Sequence, residues 1–222
     1  MIRKTLWSSG WDMKSIKNRL QQQIQFIREI DNLKHVLRRT RLFNNSRFEN
    51  DAEHSWHLAV MAIALSEYSN EPIDLNRVIK MVLIHDITEI DAGDTFLYDD
   101  IRNSSTLQKE AEGAERIFGL LPVEQKDEFI KIWQEFEKRE TPESKFAAAI
   151  DRLEPLLQNY FTQGYTWKQH SIHKAQVVNK NEPIISKGSS VLWEFARDLI
   201  EKAASEGYLE IKKTPNEIVE KT

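Results

Sequence analysis

Residues 82–89 read Val-Leu-Ile-His-Asp-Ile-Thr-Glu, an apolar helical run that ends in an adjacent histidine and aspartate. No other stretch constrains the fold as much. A carboxylate carried into a core costs several kcal/mol unless a cation or a metal meets it. The rest of the chain must therefore supply positive charge around Asp86, and only a fold that brings distant segments together can do so.

The residues available for that task are limited. The 222-residue chain has no cysteine, so disulfides and thiolate metal sites are excluded, and any metal must be held by His, Asp or Glu. A net charge of −4 argues against nucleic acid as the main partner. It leaves room for a local basic pocket that takes one small phosphate. No apolar run reaches the roughly 18 residues of a membrane span. Met1–Trp7 begins with charge but is followed by no long apolar region, so no signal peptide is expected. A cytoplasmic protein with no membrane partner is the expectation.

Helical periodicity dominates, and alternating β-branched runs are scarce, so the expected class is all-α. The expected organisation is an N-terminal extension (1–13), one helical domain (14–206) with its motifs in 39–163, and a polar tail (207–222). Ile16, Leu20, Ile24, Ile27, Ile30 (or Phe26), Leu33 and Leu37 recur at spacings of three and four, which predicts a first helix over 12–38 with a basic end at Arg38, Arg39 and Arg41. Arg47–Asn50 is expected as a loop, and Asp51 as the N-cap of a helix over 52–69. Helices are expected over 74–86, 105–119, 123–138 and 189–205, with an exposed loop at 95–104. Thr141-Pro142 starts another helix, which Gly164 ends. Residues 165–188 are ambiguous between a lid and a short helix.

Four residues could together satisfy one metal: His54, His85, Asp86 and Asp151. Each lies on or near an apolar helical face, and they come from three helices, as a site between bundle helices requires. Two histidines and two aspartates suit one divalent ion such as Mn, Co, Fe, Ni, Zn or Mg. Glu89 lies three residues after Asp86 and would project beside the ion if the helix continues. Arg39 and Arg47 carry planar forks that match phosphate oxygens. His57, His170 and His173 read as core or surface residues.

The ordered set His54, His85-Asp86 and Asp151 resembles the H…HD…D pattern of the HD-domain phosphohydrolases. The resemblance is closest to the bacterial 5'-deoxynucleotidase subgroup. In that subgroup an Arg precedes the first His by seven residues, a Glu follows the HD aspartate by three, and a Gly-Asp follows soon after. Here these are Arg47, Glu89 and Gly93-Asp94. An Arg-Trp pair of the subgroup is replaced by Arg39-Thr40. The resemblance, over roughly residues 14–163, implies an HD-domain helical bundle, and the C-terminal part with Trp167, His170 and His173 departs from the subgroup and adds helices. It implies His54, His85, Asp86 and Asp151 as metal ligands, Glu89 and Asp94 as catalytic groups, and Arg39 and Arg47 as substrate-binding groups. The implied activity is hydrolysis of nucleoside 5'-monophosphates by in-line attack of a metal-activated water, in a homodimer. A phosphodiester or nucleoside triphosphate hydrolase, or a non-catalytic nucleotide-binding module, is the alternative.

Overall fold

The computed structural model describes residues 12–211. The expected extension and tail lie outside the described residues, except for 12–13 and 207–211. The chain runs α1 (Met13–Ile30), β1 (Leu37–Arg41), β2 (Phe48–Asn50), α2 (Asp51–Leu65), α3 (Leu75–Ile84), α4 (Glu89–Ala92), α5 (Asp100–Phe118), α6 (Val123–Lys138), α7 (Pro142–Phe161), α8 (Tyr165–Gln169), α9 (Lys174–Gly188) and α10 (Ser190–Ser205). Short 3-10 turns at Asp31–His35, Ser66–Tyr68 and His85–Thr88 join them. No helix of the described residues is long and apolar enough to cross a membrane.

Helix α7 is the central element, and α2, α3, α6, α9 and α10 all pack against it. Thr141 caps it in a reciprocal box with Ser144, and Pro142 stands at the first helical position. Phe146, Ile150 and Leu153 are buried along its length. Each such side chain contributes about 1.5–3 kcal/mol on leaving water. Met81 and Val82 of α3 and Leu58 and Ala62 of α2 complete the same core. This packing holds the C-terminal end of α3 and the first turn of α2 against the middle of α7.

The expected class is borne out, with one exception that matters for the site. The first helix stops at Ile30, and residues 37–41 form a strand paired antiparallel with 48–50. Leu37 matched the helical spacing, but its side chain is exposed, so it anchors nothing. Long-range partners decide the conformation instead. The Asp51 N–H donates to the Val36 carbonyl, and the Thr166 hydroxyl donates to the Arg39 carbonyl at 2.9 Å. Arg38, Arg39 and Arg41 therefore lie on a strand and not at a helix end. The expected 47–50 loop is the second strand.

Smaller shifts have local causes. Asn50, one residue earlier than expected, caps α2 in a box with Glu53. That moves Asp51 into the first turn, where it is fully buried. His85 and Asp86 sit in the 3-10 turn that follows α3, and α5 begins at Asp100, inside the expected loop. Residues 165–188 are two helices, and the second packs along α7.

Helix α9 approaches α7 closely at Gly188, where a Cβ would stand 2.2 Å from the Lys145 carbonyl oxygen and 2.7 Å from the Ala149 Cβ. Gly188→Ala is expected to lower unfolding free energy by about 1–3 kcal/mol. Urea denaturation should show a lower midpoint with an unchanged slope.

Candidate metal centre

Three elements bring three of the four expected ligands, His54, His85 and Asp151, into one mutually close group, and Asp86 stands beside it. His54 stands in the first turn of α2, His85 and Asp86 in the turn after α3, and Asp151 in the middle of α7. His54 Nε2 lies 3.1 Å from Asp151 Oδ1 and 3.9 Å from Asp86 Oδ2. His85 Nε2 lies 3.0 Å from Asp86 Oδ1 and 3.7 Å from Asp151 Oδ1. One donor atom each from His54, His85 and Asp151 falls within 4.8 Å of the other two.

The donor chemistry fits a cation. His85 Nδ1 is 3.0 Å from the Val82 carbonyl, which can only accept, so Nδ1 carries the hydrogen. In the neutral form that a metal would select, the Nε2 lone pair then faces the two carboxylates. Nε2 is buried and has no hydrogen-bond partner. A divalent ion on Nε2 would satisfy it and neutralise Asp86 and Asp151 together.

Burial disfavours the charged form of both rings, but the surrounding carboxylates outweigh it. Asp86 and Asp151 lift the His85 pKa to about 9, and Asp151, Glu154 and Glu49 raise that of His54 well above its usual value. Burial alone would raise Asp86 and Asp151, yet the histidines hold both below the ordinary carboxylate range. The ring nitrogens thus sit in a strongly negative field, which also attracts a metal ion.

Behind His54 stand two carboxylates that sequence reading passed over. Glu154 Oε2 is 3.4 Å from His54 Nδ1, and Glu49 Oε2 is 3.6 Å from it. Both glutamates are buried, and Glu154 also reaches His57 Nδ1 at 3.2 Å. A carboxylate on the far nitrogen orients a metal-binding imidazole and makes it more basic. The signal for Glu154 was in the sequence, because it stands three residues after Asp151 on the same helical face.

A cavity of about 340 Å³ opens above the ligands. Its walls include His85, Asp86, Asp151, Glu89, Asp94 and Arg39, so most of the expected site residues come together. Gly93, with φ +75°, turns the chain sharply after α4 and brings Asp94 to the rim. Glu89 is raised well above its usual pKa by burial and by Asp86 and Asp51, and burial also raises Asp94.

Arg47 is not brought to the cavity. Its guanidinium is half-exposed and grips both oxygens of Glu53 at 2.6 and 2.8 Å. The arginines that the structure does place in the walls are Arg38, Arg39, Arg139 and Arg152. Arg139 adopts φ +53° at the end of α6, and the Nε atoms of Arg139 and Arg152 are buried without a hydrogen-bond partner. Phe96, Tyr98 and Trp167 form an aromatic side of the cavity, so the 165–188 segment contributes a wall. His170 packs its ring on Phe96 at 4.5 Å, and His173 caps α9.

Two predictions follow from this geometry. Glu154→Gln should weaken divalent metal binding by about 10–100-fold while Asp151→Asn abolishes it, as read by isothermal titration with Mn²⁺. Glu110, in the cavity wall, has its pKa raised to about 7 by burial, with Glu137 and Asp86 adding to the effect. The folded value lies above the ordinary 4.5, so the folded state loses stability as pH rises through that window. Glu110→Gln should flatten the stability-versus-pH curve between about pH 5 and 8.

Comparison with known proteins agrees with the geometry. An HD domain family model matches residues 30–193. A solved structure of a predicted metal-dependent phosphohydrolase from Magnetospirillum magnetotacticum is 49% identical, with a TM-score of 0.83 over 87% of this chain and 97% of that one. A conserved hypothetical protein from Pyrococcus furiosus shares the fold at 19% identity and a TM-score of 0.60, over 82% of this chain and 99% of that one. Human 5'-deoxynucleotidase HDDC2 is 30% identical over 136 residues, which are 61% of this chain and 65% of the human protein. The chain thus spans just under two thirds of that relative's length. With the family model matching residues 30–193, well over half of the chain, this chain belongs to the HD-domain family.

Proposed function

We propose that the protein is a metal-dependent phosphomonoesterase acting on nucleoside 5'-monophosphates. The observation that carries this reading is a cavity whose wall holds three of the four candidate ligands, His85, Asp86 and Asp151, together with arginines lacking full hydrogen-bond partners. A divalent ion held by His54, His85, Asp86 and Asp151 would supply an activated water and polarise a phosphoryl oxygen. The names of the Magnetospirillum and human relatives point to the same chemistry.

The remaining roles belong to the chain's own side chains. Arg39 and Arg152 face the cavity and would hold the phosphate as negative charge builds on it. Asp94 or Glu89 would take or supply the proton for the leaving alcohol. Phe96, Tyr98 and Trp167 offer flat apolar surface to a base. The cavity's size falls within the usual range for small-molecule sites, about 300–1,000 Å³. A channel for a nucleic acid strand would need a basic groove, and the net charge of −4 speaks against one.

A cytoplasmic homodimer belongs to the same proposal. Trp56, Val60 and Ile63 are exposed on one face of α2, and an apolar stripe of that kind suits a second copy.

Phosphate release with Mn²⁺, Co²⁺ or Mg²⁺, measured over ribo- and deoxyribonucleotides, tests the reading. Inorganic phosphate should appear from nucleoside monophosphates, and Asp86→Ala should abolish it. Arg39→Ala should raise KM by about 10-fold, the value of one charge-assisted contact. Pyrophosphate, triphosphate or a free nucleotide as product would move the activity to the triphosphate or phosphodiester class. If metal-loaded protein released phosphate from no monoester, the monoesterase reading would fall.

A further inference from the structure

The Arg38 side chain lies among more carboxylates than any phosphate-binding role requires. From β1 it reaches inward, with only 12% of the side chain exposed. Its Nη1 donates to Asp86 Oδ2 at 3.1 Å and to Asp51 Oδ1 at 3.3 Å. Asp94 Oδ1 is 3.9 Å from the same nitrogen, and Glu49 Oε2 is 3.8 Å from Nε.

Two of those carboxylates, Asp51 and Asp86, cluster with a further one, Glu89. Asp51, Asp86 and Glu89 each present an oxygen, and the three oxygens lie within 4.8 Å of one another. That spacing suits a hard divalent ion with oxygen ligands. Two of the carboxylates are incompletely met. Asp51 Oδ2 and Glu89 Oε2 are buried with no positively charged or N–H donor on them, Asp51 and Glu89 meet only each other there, and Asp51 has no solvent exposure. A planar guanidinium entering from one side leaves oxygens unmet that a small central ion would satisfy.

Asp86 faces both positions. Its Oδ1 lies 3.0 Å from His85 Nε2, on the side of the four-ligand centre. Its Oδ2 lies between Arg38 Nη1 at 3.1 Å and His54 Nε2 at 3.9 Å. A carboxylate so placed can bridge two cations, and two-metal phosphohydrolase sites hold their ions about 3.5–4 Å apart.

We propose that the Arg38 guanidinium occupies a second cation position that shares Asp86 with the four-ligand centre, and so limits the protein to one divalent ion. The inference rests on the reading of His54, His85, Asp86 and Asp151 as metal ligands. The tethered arginine supplies one positive charge that is never lost to dilution or chelation. It takes the place of a second ion at Asp86 Oδ2 and leaves the cavity side of the first position free for water and substrate.

Metal content tests this without reference to activity. Stripped protein is reloaded with Mn²⁺, dialysed and assayed for manganese per chain, with electron paramagnetic resonance as a second readout. Wild type should hold one ion and give the spectrum of an isolated Mn²⁺. Arg38→Met, and Arg38→Gln as a variant that keeps a polar donor, should hold two and give a spin-coupled spectrum. Asp51→Asn in the Arg38→Met background should return the count to one. One ion in both Arg38 variants, or two in the wild type, would overturn the inference. No ion in the wild type would instead remove the four-ligand centre, and this inference with it.

Discussion

The structure depends on how the negative charge of Asp86 is met. This carboxylate stands at the end of an apolar helix, inside a core that cannot solvate it. His85, His54 and Arg38 surround it, and each comes from a different segment. None of these contacts is local except that of the adjacent histidine. The charge is therefore tolerable only when α2, α3 and β1 are all in place, and this ties the stability of the centre to completion of the fold.

Helix α7 makes that assembly rigid. Its apolar face fixes α3 and α9, and its edge carries Asp151 and Glu154 one turn apart. In the proposed centre the same helix would provide one ligand, Asp151, and the carboxylate, Glu154, that orients another, His54. Such outer contacts hold an imidazole in one rotamer and one tautomer, which a metal site needs before the ion arrives. The cavity above is closed on its aromatic side by the 94–98 loop and α8, so the additional C-terminal helices shape the substrate side while the ligands come from elsewhere.

How much of this was legible depended on whether a residue's role is local. His85-Asp86 stood out because an apolar run and a charged pair conflict within a few residues. His54 and Asp151 followed from helical faces and from the ordered pattern. The end of the first helix was misread because Leu33 and Leu37 satisfied a helical period by coincidence, while the hydrogen bonds that make 37–41 a strand come from β2 and from Thr166. Arg47 looked like a phosphate grip from its offset to His54, yet its nearest carboxylate is Glu53, six residues away on the exposed side of the α2 start. Arg38 looked like an ordinary helix-end cation, because nothing within its own segment indicates that four carboxylates converge on it.

The sequence by itself determined the helical class, the set of groups able to hold a metal and the need for a compensating cation. Periodicity, the absence of cysteine and the cost of burying charge are properties of residues and their spacing. Only the tertiary structure decided which cation meets Asp86, which carboxylates stand behind His54 and which arginines reach the cavity. Those outcomes depend on distances between segments tens of residues apart in the chain. Electrostatic and hydrogen-bond energies fall off over a few ångströms, so they become defined only when packing has set those distances.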